Sequence, residues 1–96
     1  MKLLTARRVG TNFRYRVHLD ETKLGPDGAP DPAYVVENTW GANPRRSSET
    51  GPQFTARLTA FEANARAEMR LLCVARLAAL QPGDAGTALA GEGATL

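Results

Sequence analysis

The sequence predicts an α+β fold, in which a small antiparallel sheet of two or three strands packs on one long C-terminal helix. Residues 13–19 and 33–40 alternate apolar and polar side chains, the pattern of strands with one buried face. Residues 53–80 contain neither glycine nor proline and repeat apolar side chains at helical spacing.

The first two strand candidates are expected to start the sheet. Residues 2–8 form a candidate strand with imperfect alternation, and residues 9–12 have the composition of a turn. Residues 13–19 give the best strand pattern in the chain. Its apolar face carries Phe13, Tyr15, Val17 and Leu19, and its basic face carries Arg14, Arg16 and His18. We expect the apolar face to contact the helix.

A long acidic loop separates the second and third strands. Residues 20–32 carry repeated proline and glycine breaks, which predict irregular structure, and their acids outnumber their single lysine. Residues 33–40 follow as a strand that is expected to pair antiparallel with residues 13–19, with the acidic loop at the hairpin tip. Residues 41–50 are then expected to be a turn that is mobile when nothing contacts it.

The helix is predicted to run from Pro52 to Leu80. Gly51 is the expected N-cap, and proline suits the first helical position. Pro82 and Gly83 end the helical pattern. At ~1.5 Å per residue the helix would be ~43 Å long, which is more than a compact domain of this size needs.

One apolar stripe of the helix is expected to face the sheet. It consists of Phe54, Leu58, Phe61, Ala65, Met69 and Leu72. We expect Phe61 to be the central core residue, facing Tyr15 and Val17. Beyond Met69 the apolar members become Cys73, Leu77 and Leu80, and Arg76 is expected at the half-buried centre.

A second apolar stripe lies nearly opposite the first, at alternating spacings of four and three residues. Its members are Ala56, Ala60, Ala63, Ala67, Leu71, Val74 and Ala78. The chain has sixteen alanines, so an Ala-rich composition is an alternative explanation, although it does not account for Leu71 and Val74. The stripe predicts an interface. Since a small sheet covers only one helix face, we expect the isolated protein not to be a simple stable monomer.

Length and composition limit the class of protein. Ninety-six residues make one small domain, placed at residues 1–80, and residues 81–96 are expected to be a flexible Gly/Ala-rich tail ordered only by a partner. The net charge of +2 is too small to imply a polyanionic partner by itself. Cys73 is the single cysteine, so no internal disulfide is expected. Without a signal-peptide pattern or a membrane-length apolar run, we expect a cytoplasmic protein, or one inside a phage particle or large assembly, with no membrane partner.

The sequence contains no recognisable catalytic or cofactor motif. We therefore expect a protein that is not an enzyme and has no cofactor, metal or small-molecule substrate. His18, the sole histidine, is expected on an exposed strand face, and the acids of residues 20–32 lack the spacing of an EF-hand loop. A basic docking patch is expected from Arg14, Arg16, His18, Arg45 and Arg46.

The sequence is compatible with two functions. The first is a non-enzymatic structural or assembly subunit of a larger complex, such as a phage particle or multisubunit machine, which docks on protein partners or on itself through its second helix face, loops and tail. The alternative is a small dimeric nucleic-acid-binding protein that uses the basic hairpin. The sequence favours the first function, because the acidic loop would repel phosphates and because Phe13 and Tyr15 point away from the arginines.

Overall fold

The structure, a computed structural model, describes residues 1–80. It contains the strands β1 (Lys2–Val9), β2 (Asn12–His18) and β3 (Val35–Gly41), a 3₁₀ helix at Pro32–Tyr34, and the helix α1 (Gly51–Leu80). The strands form one antiparallel sheet in the order β1-β2-β3, and α1 packs on one face of it. The predicted α+β fold is confirmed, with three strands. The predicted tail at residues 81–96 lies outside the described residues.

β1 and β2 form a hairpin that turns at Gly10 and Thr11. Gly10 has a φ of 62°, a left-handed conformation that glycine adopts without steric cost and that two-residue hairpin turns require. The pairing register shifts between Leu3 and Thr5. A shift of this kind changes the side on which later side chains point, which explains the imperfect alternation of the first strand.

β2 is the central strand and supplies most of the buried sheet face. Its inward side chains are at most 2% exposed and belong to Phe13, Tyr15 and Val17. Their partners in the β3 register are, in the same order, Trp40, Asn38 and Val36. Val36, Asn38 and Trp40 therefore lie on the same side of the sheet as the apolar face of β2.

The acidic loop is more regular than its proline and glycine content predicts. A β-bridge joins Leu24 to Pro30. The carboxylates of Asp20, Asp27 and Asp31 each accept a backbone N–H from the residue two positions further along. Asp31 thereby caps the 3₁₀ helix, and for this reason β3 begins two residues later than the predicted start at residue 33.

The N-terminus of α1 is held by Thr50, not by Gly51 as predicted. The Thr50 hydroxyl accepts the Gln53 N–H (3.2 Å), and the Gln53 side-chain oxygen accepts the Thr50 N–H (2.9 Å). This arrangement is a capping box, in which the side chain of each residue accepts the backbone N–H of the other. The Thr-x-x-Gln pattern directly before the helical run is the sequence signal for it.

The buried face of α1 begins at Leu58 and, from Ala65 to Leu77, follows a row of residues four positions apart. Its buried side chains are Leu58, Ala65, Met69, Cys73 and Leu77. A row at this spacing is inclined to the helix axis, so it stays in contact with a twisted sheet. The prediction assumed one fixed direction and was wrong at two positions: Leu72 is 40% exposed and Arg76 is exposed.

Met69, and not Phe61, lies at the middle of the core. Met69 is fully buried, whereas Phe61 is partly buried and packs at the edge of the core. The Phe61 ring contacts Phe13, with centroids 5.7 Å apart, instead of facing Tyr15 and Val17 as predicted. This contact places Phe61 beside the N-terminal end of β2.

Candidate docking surfaces

The second apolar stripe of α1, called the alanine face below, is turned away from the sheet. Its exposed members are Ala56, Ala60, Ala63, Ala67, Leu71 and Ala78, and Val74 is partly buried. Leu71 is 69% exposed, the largest exposure among the exposed large apolar side chains of the described residues. An apolar strip of this kind on a surface helix is the type of feature that marks a protein-interaction site.

The sheet face opposite α1, called the outer face below, carries arginines from two strands. Arg7 of β1 pairs with Arg14 of β2, and Arg16 lies two positions further along β2. The Glu37 carboxylate of β3 is 2.6 Å from Arg14 and 3.6 Å from Arg16. These ion pairs are nearly half exposed and add little stability, but they neutralise part of the basic charge. The outer face is therefore basic overall and mixed in sign.

His18 is buried, so its predicted place in an exposed basic patch is wrong. It is 3% exposed, and its Nε2 atom lies 2.8 Å from the carbonyl oxygen of Lys23. Since a carbonyl only accepts hydrogen bonds, Nε2 carries the proton and donates. The acidic loop folds back at Lys23 and covers the imidazole, a long-range effect that strand alternation does not reveal.

Arg57 is the main structural residue that the sequence analysis missed. It donates to both carboxylate oxygens of Glu49 (2.8 and 2.9 Å) and to the carbonyl oxygens of Asn43 and Pro44 (2.9 and 3.0 Å). The Arg57 hydrogen bonds hold the pKa of Glu49 down at about 2. The turn that was expected to be mobile when nothing contacts it is thus fixed to the helix. No local spacing rule links a loop carboxylate to a helix arginine, so this contact has no signal in the sequence pattern.

Arg45 and Arg46 do not join the arginines of the outer face. Arg45 donates to the Glu49 carbonyl oxygen, within the loop that Arg57 holds. Arg46 lines a shallow groove with Phe61 and Asn64 of α1, which lies on the helix side of the sheet. The five residues of the predicted basic patch therefore do not form one surface.

An open groove, called the edge groove below, runs between β3 and the C-terminal half of α1. One part, of about 300 Å³, is lined by Asn38, Trp40, Glu68, Leu71 and Leu72. The other part, of about 470 Å³, is lined by Val35, Val36, Glu37, Leu72, Ala75, Arg76 and Ala79. Leu72 lines both parts, and the Trp40 indole N–H donates to the Glu68 carboxylate. The sequence pattern does not reveal this groove, because it places Leu72 on the stripe that is expected to face the sheet.

The described residues contain one cysteine, which is buried, and no candidate metal-binding cluster. Within residues 1–80, no group of three His, Cys, Asp or Glu side chains is arranged to hold a metal ion. Cys73 is fully buried, and burial raises the pKa of its thiol to about 11, so the thiol is protonated at neutral pH and is a poor nucleophile. No helix in this part of the chain has the length and apolar character needed to cross a bilayer.

Comparison of the chain with protein-family models, with curated proteins and with solved structures found no match.

Proposed function

We propose that this protein is a non-enzymatic subunit of a protein assembly, and that the alanine face of α1 docks on a helix of a partner protein. The observation that carries the proposal is Leu71, which is 69% exposed on a stripe of otherwise small side chains. Small residues let two helix axes approach to the short end of the usual ~8–10 Å range. Leu71 and Val74 supply the apolar area whose burial drives association.

The size of the domain supports the same proposal. A chain this short buries a modest fraction of its surface, so a partner that covers a further apolar face adds to its stability. Phe61 and Trp40 are only partly buried at the margins of the core. Such a domain gains more from association than a larger one does.

The test is capture of partners from native extracts with the full chain. Ala63→Glu together with Ala67→Glu places two carboxylates on the alanine face, and we expect loss of a stoichiometric partner while circular dichroism shows unchanged helicity. Thr55→Glu together with Thr59→Glu is the matched control, since both threonines are exposed and have the same four-residue spacing. Retention of the same partners by the Ala63/Ala67 variant would contradict the proposal.

Nucleic-acid binding by the outer face is the second candidate, supported by the exposure of Arg7, Arg14 and Arg16 on one surface. Two observations weigh against it. Glu37 already pairs with Arg14 and Arg16, and no aromatic side chain of β1 to β3 points outward to stack on bases.

Replacing both Arg14 and Arg16 with Gln distinguishes the two candidates. If these arginines contact phosphates, binding to an oligonucleotide weakens and its salt dependence flattens by about one unit of slope per lost contact. We expect weak oligonucleotide binding by the unaltered chain at physiological salt. Submicromolar, salt-sensitive binding would favour the second candidate.

A further inference from the structure

We propose that β3 is a dimerisation edge. Two copies of the chain pair their β3 strands antiparallel across a two-fold axis perpendicular to the sheet, which gives one continuous sheet with both helices on the same face. The occupant of the edge groove is then the α1 helix of the second copy. This surface meets the alanine face at Leu71, which also lines the edge groove, and the dimer leaves the alanines of that face uncovered.

The backbone of β3 has an open side. Leu19 N–H donates to Tyr34 C=O (2.8 Å) before the strand, and Ala42 N–H donates to Thr11 C=O (2.9 Å) after it. Inward and outward backbone groups alternate along an antiparallel strand, so the groups of Glu37 and Thr39 point away from β2. Accordingly, the Thr39 N–H does not bond to β2 and donates instead to the side-chain oxygen of Asn38 (2.9 Å).

The two edges of the sheet differ in how they are protected. β1 contains a register shift and carries Lys2, Arg7 and Arg8, features that discourage pairing with another strand. β3 pairs with β2 in unbroken register over residues 35–41 and contains no lysine, arginine or proline. Its one charged side chain, Glu37, is turned toward Arg14 and Arg16. Among the described strands, β3 is therefore the edge open to a partner.

The β3 sequence is compatible with pairing to itself. A two-fold axis at Asn38, the centre of Val35–Gly41, sets Glu37 opposite the partner's Thr39, and these two residues exchange both backbone hydrogen bonds. The same register sets Val36 opposite the partner's Trp40. A register centred on Glu37 would instead place two carboxylates opposite each other, which is destabilising.

The helix spacing also fits. α1 contacts both β2 and β3, so its axis lies near the line between them. With strands ~4.8 Å apart, that line is about half a spacing inside β3, and the two-fold axis is about half a spacing outside it. The two helix axes are then ~9.6 Å apart, within the ~8–10 Å range of packed helices. The second helix therefore fills the edge groove.

Charge complementarity identifies a second copy as the occupant. Glu68 lies at the Trp40 end of the groove and Arg76 at the Val36 end, with Leu72 between them. Because Trp40 faces the partner's Val36, Glu68 comes beside the partner's Arg76, and the reverse pair forms by symmetry. The distance from Glu68 to Arg76 along the helix is ~12 Å for eight residues. It matches the distance from Trp40 to Val36 along the strand, which is ~13 Å for four residues.

The test is sedimentation equilibrium of the full chain. We expect a dimer, and we expect Glu68→Arg or Arg76→Glu alone to raise the dimer Kd by on the order of 10-fold, since each sets like charges across both symmetric contacts. The double exchange, Glu68→Arg with Arg76→Glu, should return the Kd to near that of the unaltered chain. Recovery by the exchange also shows that neither change merely unfolds the protein.

Thr39→Pro provides an independent test of the strand edge. Proline removes an outward N–H and leaves the inward β2–β3 bonds in place, so the thermal melt of the monomer should survive while the dimer is lost. Thr39→Val keeps the N–H and should keep the dimer. A monomer at every concentration, or a dimer unaffected by Thr39→Pro, would overturn the proposal. So would a dimer that only Ala63→Glu with Ala67→Glu disrupts, since that result places self-association on the alanine face.

Discussion

Truncation of Met69 tests the assignment of the core. Met69 is fully buried on the inclined row of α1, between Ala65 and Cys73. Met69→Ala removes three heavy atoms, worth about 2.4 kcal/mol of transfer free energy at ~0.8 kcal/mol per group. The cavity that remains adds to this cost, and a total of about 3–4 kcal/mol lies within the ~2–5 kcal/mol observed for such changes.

Phe61→Ala is the comparison that makes the test decisive. Although phenylalanine is larger, Phe61 is only partly buried and contacts Phe13 at the core margin. We therefore expect a cost of about 2 kcal/mol, below the ~3–5 kcal/mol of a fully buried phenylalanine. The variant that loses more unfolding free energy identifies the centre of the core. A larger loss for Met69→Ala indicates a core centred on Met69, and a larger loss for Phe61→Ala indicates one centred on Phe61.

Urea unfolding at one fixed protein concentration, followed by circular dichroism, measures both costs. For a domain of this size, each kcal/mol also lowers Tm by ~4–8 °C. Met69→Leu conserves volume and should cost less than ~1.5 kcal/mol, which controls for loss of the thioether. A Met69→Ala cost below ~1 kcal/mol, or a larger cost for Phe61→Ala, would show that the helix packs on a different face.

Three further predictions concern single side chains. The contribution of Cys73 to the unfolding free energy should be constant at neutral pH and fall as the pH rises from 9 toward 11, because the unfolded state releases the Cys73 proton near its ordinary pKa of 9.0 while the folded state holds it to about 11; Cys73→Val should reduce this fall in urea titrations repeated at each pH. Arg57→Lys should raise hydrogen exchange across residues 43–49 without a matching loss in Tm, because a single ammonium cannot reproduce the fork of bonds to the Glu49 carboxylate; unchanged exchange would contradict the clamp. Tyr15→Phe should leave the unfolding free energy unchanged or raise it by up to about 1 kcal/mol, since the buried Tyr15 hydroxyl makes no hydrogen bond of good geometry within the described part of the chain, although the Arg66 guanidinium lies near it; a clear loss in urea unfolding would show that the contact with Arg66 stabilises the fold.

The sequence was most informative where periodicity is strong. Residues 13–19 and residues 33–40 each alternate apolar and polar side chains, and these two patterns predict β2 and β3. The uninterrupted helical run likewise predicts α1 to within one residue at its start. These elements are set by local side-chain spacing, which is fully contained in the sequence.

The errors arose where geometry depends on distant parts of the chain. The twist of the sheet selects a four-residue row on α1, which moves Leu72 and Arg76 out to the surface. The fold-back at Lys23 buries His18, and the bonds from Arg57 fix a loop that precedes the helix. None of these contacts has a local spacing rule, so a single sequence could not predict them.

The two proposed interfaces have a joint consequence. Pairing at β3 leaves both helices on one side of the sheet, so the two alanine faces of a dimer point in the same direction, away from the strands. A partner that contacts both alanine faces would bind more tightly than one that contacts a single face, because the second contact forms within the same complex. The outer faces would also become one continuous surface, with Arg14 and Arg16 of each copy near the other copy's Glu37. That arrangement places an acidic side chain at the centre of the enlarged basic surface, which suits docking on a protein of mixed charge better than tracking a phosphate backbone.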